Sequence, residues 1–165
     1  MRPCYSQRER DCCFTGGGLN APTKLAVNHA GNIWIANYGG DITELSGSTG
    51  TAISPAGGYT GGGLYYPNDV AVDGVGNVWV TNSSYNLPVA VTELNGSTGA
   101  PISPSTGYIP SATLLSDLGG IAIDGSGNVW MAAGAAGVFE MVGAAAPVVT
   151  PIAAGVMNNT LGIRP

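Results

Sequence analysis

The stretch that decides the fold is PNDVAVDGVGNVWVTN, which runs from Pro67 to Asn82. Two short apolar runs, Val70–Val72 and Val78–Val80, flank the sequence Asp-Gly-Val-Gly-Asn. Short β-branched runs are typical of strands, and glycines beside an Asx residue are typical of a tight turn. The stretch therefore predicts a β-hairpin whose turn begins at Asp73.

The same hairpin pattern occurs three times along the chain. The turn and the second strand read GNIWI, GNVWV and GNVWM, and the first strand reads LAVN, VAVD and IAID. The three tryptophans of the chain, Trp34, Trp79 and Trp130, therefore occupy equivalent positions, 45 and 51 residues apart. Self-similarity on this scale indicates a repeat architecture.

Each repeat predicts four short antiparallel strands. The hairpin is followed by ITEL, VTEL or VFEM, and then by a segment that reads ISP, ISP or VTP. A proline suits an outer strand, which does not need every backbone donor. Four strands in about 40–50 residues are the unit of a β-propeller blade. We expect an atypical, disordered leader at 1–16, blades at 17–62, 63–111 and 112–155, and a tail at 156–165.

The pattern Pro-x-x-Val-Ala-Val-Asp-Gly-x-Gly-Asn-Val-Trp-Val-Thr-Asn resembles the NHL repeat. It is most similar to the branch that includes streptogramin lyases and SMP-30/gluconolactonase-like propellers, and the resemblance covers about residues 17–155. It implies an all-β propeller fold. Because propellers usually close with about four to eight blades, three blades predict an incomplete ring. We expect either a C-terminal fragment of a longer propeller, whose remaining blades are its partners, or self-association.

Composition narrows the functional classes. The chain has 165 residues, of which 27 are Gly, 11 are Pro and only 9% are charged. This much Gly and Pro argues against a helical bundle. Five Lys and Arg residues and a net charge of −5 argue against a nucleic-acid partner. The uncharged stretch 141–163 contains prolines and asparagines, so we predict no membrane span. The sparse charge favours an extracellular or cell-envelope location, although the chain shows no signal peptide.

Most of the repeated polar and aromatic residues have a structural interpretation. The Asx residues at the turns are expected to cap backbone amides rather than bind calcium, which needs about six to eight oxygens. The tryptophans are expected in the core between sheets rather than in a ligand cage. Glu44, Glu93 and Glu140 recur once per repeat, which also favours a structural role. The predicted turn residues are Asn28, Asp73, Asp124, Asn32, Asn77 and Asn128, and the predicted core residues are Trp34, Trp79 and Trp130.

His29 is the only histidine of the chain. Resemblance to streptogramin lyases implies a histidine general base, but no second histidine completes that pattern here. A base must be oriented by a partner group, so we assign no catalytic residue. We also predict no cofactor and no metal site.

The loops before the first strand and after the second strand of each repeat are the best binding candidates, because such loops form the binding face of propellers. The second repeat also carries a four-residue insertion around Tyr85 and Asn86. The alternative is that these side chains only satisfy backbone groups. Resemblance to gluconolactonase-like propellers, which hold a divalent metal with side chains from several blades, further implies Asp69 and Asn82 as candidate members of such a ligand set. The candidate ligand-binding residues are Asn37, Tyr38, Asn68, Asp69, Asn82, Tyr85 and Asn86.

The leading functional hypothesis is a non-catalytic propeller scaffold that binds a protein or a small ligand through its loop face. The alternative is a fragment of a propeller lyase or lactone hydrolase whose catalytic residues lie mostly on other blades.

Overall fold

The computed structural model describes residues 13–83, 89–110 and 117–148, which form three separate antiparallel sheets of three strands each. The strand orders are β1-β2-β3, β4-β5-β6 and β7-β8-β9. A short 3-10 turn, Gly134–Ala136, precedes the last strand. This all-β architecture of three repeated blades confirms the predicted fold class. The strands are β1 Pro22–Val27, β2 Ile33–Asn37, β3 Asp41–Leu45, β4 Pro67–Val72, β5 Val78–Asn82, β6 Val91–Leu94, β7 Ile121–Ile123, β8 Val129–Ala132 and β9 Val138–Met141.

Each sheet has three strands rather than the predicted four. In the first blade, the fourth segment does not form a continuous strand beside β3 but pairs with it in isolated bridges at Ala52 and Tyr59. Between these bridges, the Ser54 hydroxyl accepts the backbone N–H of Glu44 at 3.0 Å, in place of a backbone carbonyl. The second blade repeats this arrangement, so a side chain interrupts the ladder at the same point in both blades. The corresponding segment of the third repeat, at 149–151, lies outside the described residues, as do most of the leader and the whole tail.

The core lies between successive sheets. Trp34 is fully buried and shares a cluster with Val70, Val78, Val80 and Leu94 of the second blade. A large aromatic at such a position buries about 150–250 Å² and dominates the contact. Trp34 therefore joins its own blade to the next one.

Trp79 makes the equivalent contact with the third blade. It is 1% exposed and clusters with Leu118, Val129 and Met131. Trp34 and Trp79 thus make the same contact with the blade that follows, which explains why a tryptophan stands at this position in both repeats.

Trp130 differs from the prediction that it is a core residue, because it is 39% exposed. Its neighbour on the adjacent strand, Val138, is 71% exposed, whereas the equivalent Ile42 and Val91 are fully buried. The reason is that no further sheet follows the third blade within the described part of the chain. A tryptophan in this slot is buried by the next blade and not by its own.

The hairpin turns are held by one side chain each. Asn28, Asp73 and Asp124 begin the three turns, and Oδ1 of each accepts the backbone N–H groups of the residues two and four positions later, at 2.8–3.0 Å. Asx side chains commonly close turns in this way. This bonding leaves the second side-chain atom free for another partner.

The second side-chain atom of the Asx residue differs between the first repeat and the other two. Oδ2 of Asp73 accepts the indole N–H of Trp79 at 3.3 Å, and Oδ2 of Asp124 accepts that of Trp130 at 3.0 Å. Asn28 carries a donor amide where the aspartates carry an acceptor. Consistently, the buried indole nitrogen of Trp34 has no hydrogen-bond partner among the described residues. An unsatisfied buried donor costs about 1–3 kcal/mol.

We predict that Asn28→Asp raises the free energy of unfolding by about 1 kcal/mol, because it supplies the acceptor that the Trp34 indole lacks. The reciprocal change, Asp73→Asn, should lower it by about 1–3 kcal/mol by leaving the Trp79 indole unpaired. Urea unfolding monitored by tryptophan fluorescence measures both changes. Asp124→Asn is the control, since its indole partner is partly exposed and the loss should be smaller. A destabilised Asn28→Asp variant with an unchanged native spectrum would contradict the assignment.

Candidate functional site

The predicted binding residues gather at one edge of the sheets. Pro22 pairs with Asn37 across β1 and β2, and Pro67 pairs with Asn82 across β4 and β5. The start of each first strand and the end of each second strand therefore lie together, at what we call the loop edge. Tyr85 and Asn86 fall outside the described residues.

Asn37 is a buried residue at this edge, and its amide is fully used within its own blade. Its Nδ2 donates to Oδ1 of Asp41 at 2.8 Å and to Oγ1 of Thr43 at 3.0 Å. Its Oδ1 accepts the backbone N–H of Asn20 from the loop before β1. Both donors are engaged, so the prediction that Asn37 binds a ligand has no support in this geometry.

Asn82 plays the same part in the second blade and is 2% exposed. Its Nδ2 donates to the Ala90 carbonyl at 3.0 Å and to Oγ1 of Thr92 at 3.1 Å, and its Oδ1 accepts the backbone N–H of Tyr65. This amide also has no free donor for a ligand. The geometry supports the alternative in which these asparagines satisfy backbone groups and hold the incoming loop.

A second polar clamp holds the same loops and was not predicted from the sequence. The hydroxyls of Thr43 and Ser54 both donate to the Gly17 carbonyl, at 2.7 and 2.8 Å. Thr92 and Ser103 donate in the same way to the Gly62 carbonyl. The repeated Thr-Glu and Ile-Ser-Pro motifs carry this signal, because their hydroxyls recur at equivalent positions.

Asn68 and Asp69 tie two blades together. Nδ2 of Asn68 donates to the Leu118 carbonyl at 3.0 Å, and Oδ2 of Asp69 accepts the backbone N–H of Ile121 at 3.1 Å. Thr23, which is equivalent to Asn68 in the first repeat, donates across the preceding blade interface. These contacts assign both predicted binding residues to the interface between sheets.

Tyr38 is the predicted site residue that stays accessible, with 44% of its surface exposed. Its ring stacks on Tyr66 at a centroid distance of 4.8 Å, and Tyr66 meets Tyr65 edge-on at 4.4 Å. Tyr65 is also 44% exposed. We call Tyr38, Tyr65 and Tyr66 the tyrosine cluster. It joins the loop after β2 to the loop before β4.

The backbone orients this cluster. Tyr66 has a positive φ of 48°, which is uncommon for a residue with a side chain, and its carbonyl accepts the N–H of Ser83 at 3.0 Å. Ala21 occupies the equivalent position of the first blade, with φ 51°, and its carbonyl accepts the N–H of Tyr38. The left-handed backbone conformation is therefore part of the repeat, and it presents Tyr66 beneath Tyr38.

Within the tyrosine cluster, the hydroxyl of Tyr65 is held in its protonated form. A hydrogen bond with Tyr66 raises the pKa of the Tyr65 hydroxyl, and electrostatic repulsion from the neighbouring phenols raises it further. The cluster therefore presents aromatic faces together with the neutral hydroxyl of Tyr65. Sequence reasoning selected Tyr38 and missed Tyr65 and Tyr66. The available signal was a Tyr-Tyr pair immediately before Pro67, in the loop that precedes a first strand.

The opposite edge of the sheets carries the repeated glutamates. Glu44 accepts Nδ2 of Asn32 at 2.9 Å and the hydroxyl of Tyr59 at 3.3 Å, and the Tyr59 ring stacks on Trp34. Burial raises the pKa of Glu44, although these two hydrogen bonds oppose the rise. The carboxylate thus links the turn to the fourth segment and to the aromatic core.

The second blade repeats this network with Asn77, Glu93 and Tyr108, at 3.1 and 2.9 Å. Burial again raises the pKa of the glutamate. In the third blade, Asn128 instead donates to Oδ2 of Asp124 at 2.9 Å. His29 lies exposed on the first turn.

Among residues 13–83, 89–110 and 117–148, no three His, Cys, Asp or Glu side chains lie close enough to share a metal ion. Within those same ranges no helix has the length and apolar character needed to cross a membrane.

Solved structures share this fold. The chain superposes on virginiamycin B lyase from Staphylococcus aureus with a TM-score of 0.51 and 16% identity, over 74% of this chain and 41% of the lyase. It also matches a protein described as a gluconolactonase with a TM-score of 0.52 and 20% identity, over 87% of this chain and 51% of that protein. The chain therefore spans about half the length of these proteins or less.

Both matched proteins are β-propellers, so the resemblance inferred from the repeat is confirmed at the level of the fold. No family model matches the chain, and no curated protein matches it in sequence. What the chain shares with its structural neighbours is a set of consecutive propeller blades.

The buried carboxyl groups predict an acid-shifted stability profile. Burial raises the pKa values of Asp41, Glu44 and Glu93 in the folded state, so the folded chain binds more protons than the unfolded chain. Stability should therefore increase as pH falls from 7 towards 4.5, the ordinary pKa of glutamate. Below about pH 4 it should decrease, because hydrogen bonding, first from Trp130, lowers the pKa of Asp124 to about 2.

Urea midpoints measured between pH 3 and pH 8 test this profile. The paired variant Glu44→Gln with Glu93→Gln should lose most of the increase between pH 7 and pH 5. Stability that rises from pH 5 to pH 7 in the unmodified chain would contradict the burial argument.

Proposed function

We propose that this chain supplies a ligand-binding face of a β-propeller and that the tyrosine cluster is the contact surface. The ligand class that fits is a neutral molecule with a flat apolar face and hydroxyl groups, such as a sugar ring. The observation that carries the proposal is the exposed, stacked set of Tyr38, Tyr65 and Tyr66 at the loop edge.

The chemistry of tyrosine supports this ligand class. A phenol ring offers a large apolar face with a polar tip, so it stacks on a ring and bonds its hydroxyls at the same time. The raised pKa of Tyr65 keeps that tip neutral and able to donate a hydrogen bond. Three rings in one patch give a continuous surface that a single exposed tyrosine would not provide.

The cluster is also preorganised. Asn82 bonds the backbone of Tyr65, and Tyr66 bonds Ser83, so the loop that carries two of the rings is anchored to β5 at both residues. Rigid side chains lose less conformational entropy when a ligand binds. The buried asparagines therefore contribute indirectly, by positioning the residues that face the ligand.

The charge of the chain favours a neutral ligand over an anion. Lys24 is the one Lys or Arg residue in the described ranges, and the whole chain has a net charge of −5. An anionic ligand would find few cationic partners here. The same sparse charge underlies our proposal of an extracellular or cell-envelope location.

A second candidate function follows from the comparisons. We propose as the alternative that the chain contributes blades to a propeller enzyme, either a lyase or a lactone hydrolase, because the two matched structures are described with such activities. Incubation with virginiamycin B and with gluconolactone, followed by mass spectrometry, tests this alternative. Product formation would favour the enzyme, and binding without turnover would favour the scaffold.

We predict that Tyr38→Ala and Tyr65→Ala each weaken sugar binding by about tenfold or more, because each removes a stacking face. Titrations with glucose, galactose and N-acetylglucosamine, followed by NMR of ring-labelled tyrosine, measure the effect. Tyr65→Phe keeps the ring and should retain most of the affinity. Ile102→Ala is a matched control, since Ile102 is 45% exposed but lies outside the cluster. Sugar-dependent shifts confined to Tyr59 and Tyr108 would count against this surface.

A further inference from the structure

The described blades end in two apolar faces that are partly uncovered, although Ile35 and Leu45 of the first of these faces are buried. The leading face belongs to the first blade, where Leu25 is 63% exposed and Val27 is 59% exposed. The trailing face belongs to the third blade, where Trp130 and Val138 are exposed. The equivalent residues of the second blade are covered by its neighbours. Both faces therefore correspond to halves of a contact that the chain makes elsewhere.

The complete contact occurs twice inside the chain. Trp34 of the first blade is received by four positions of the second blade, which are Val70, Val78, Val80 and Leu94. The same repeat positions of the third blade receive Trp79, and they are Ile121, Val129, Met131 and Met141. The same four apolar positions thus pack around a tryptophan in both interfaces between blades of the chain.

The first blade has the same four positions but receives no tryptophan from the described residues. They are Leu25, Ile33, Ile35 and Leu45, and all four line one apolar groove of about 550 Å³. Phe14 and Leu19 extend the same groove. The groove is therefore formed by the same repeat positions that bind a tryptophan in the two interfaces between blades.

We propose that a second copy of this chain occupies these faces, with Trp130 of each copy seated in the leading-face groove of the other. Two copies of the three described blades make a ring of six, within the range of about four to eight in which propellers close. Three copies would exceed that range. The contact is head-to-tail, and closure after two copies removes every uncovered face.

The indole N–H of Trp130 already has a hydrogen-bond acceptor, so burial of the ring costs little. This N–H donates to Asp124 at 3.0 Å, so the ring enters an apolar groove without leaving an unsatisfied donor. The trailing face lacks the polar ties of the second blade, because Gly119, Gly120 and Ala132 stand where Asn68, Asp69 and Thr81 reach across. The contact between copies is therefore mainly apolar, and it depends on Trp130.

Sedimentation equilibrium of the full chain over about 1–100 µM tests the proposal. We expect a species with twice the chain mass of 16.5 kDa. Trp130→Ser and Leu25→Arg should each give a monomer, because each damages both contacts of the ring. Val75→Ser is the control for removal of an exposed apolar residue, since Val75 is 74% exposed on a turn outside both faces. Near-UV circular dichroism and thermal melting establish that each variant is folded.

Mixing the two variants separates a specific contact from general stickiness. A pair of Trp130→Ser and Leu25→Arg chains retains one intact contact, so an equimolar mixture should form a dimer that neither variant forms alone. Trp130 should also become less accessible to acrylamide quenching in the dimer. A monomeric chain at all concentrations would overturn the proposal, and such a monomer with a protected Trp130 would point to cover by residues 149–165. Open-ended growth, or a dimer unaffected by Trp130→Ser, would also overturn it.

Discussion

The packing of one tryptophan between two sheets is the interaction on which the rest of this structure depends. A three-stranded sheet cannot bury its own apolar face, so each blade is completed by its neighbour. Trp34 and Trp79 are fully or almost fully buried in that contact, and in the second and third blades the aspartate of the hairpin turn bonds the indole. The turn and the core are therefore coupled, since Asp73 closes the turn with one oxygen and satisfies the indole of Trp79 with the other.

This coupling leaves the loop edge free to vary. Asn37 and Asn82 clamp the loops from below, and the threonine and serine hydroxyls hold the same loops by a glycine carbonyl. On this constant base the two described loops differ, because the second places Tyr65 and Tyr66 where the first has Asn20 and Ala21. A rigid scaffold with variable loops is the usual arrangement for binding faces.

Much of the fold was predictable because the same strand–turn–strand pattern occurs three times in the sequence. Periodic valines, a Gly-Asn turn and a tryptophan at fixed spacing are local signals. Such signals can be interpreted without knowing which other blades pack against the repeat. The candidate site was predicted less well. Asn37, Asn68, Asp69 and Asn82 were selected because polar residues beside a loop favour binding. Asn68 and Asp69 bond backbone groups of the third blade, whereas Asn37 and Asn82 bond groups of their own blades, and the sequence does not show these contacts. Tyr65 and Tyr66 were missed because the stacking of Tyr66 on Tyr38 joins two blades.

By itself the sequence determined the all-β class, the three blades, the hairpin turns and the slot that each tryptophan occupies, because these features follow from contacts within one repeat. Only the tertiary structure decided which of those slots is buried. Trp34 and Trp79 are covered and Trp130 is exposed, although all three stand in the same motif, since the cover comes from the next sheet. The tertiary structure likewise decided that the indole N–H of Trp34 is buried without a hydrogen-bond partner among the described residues, because residues of the second blade cover that ring.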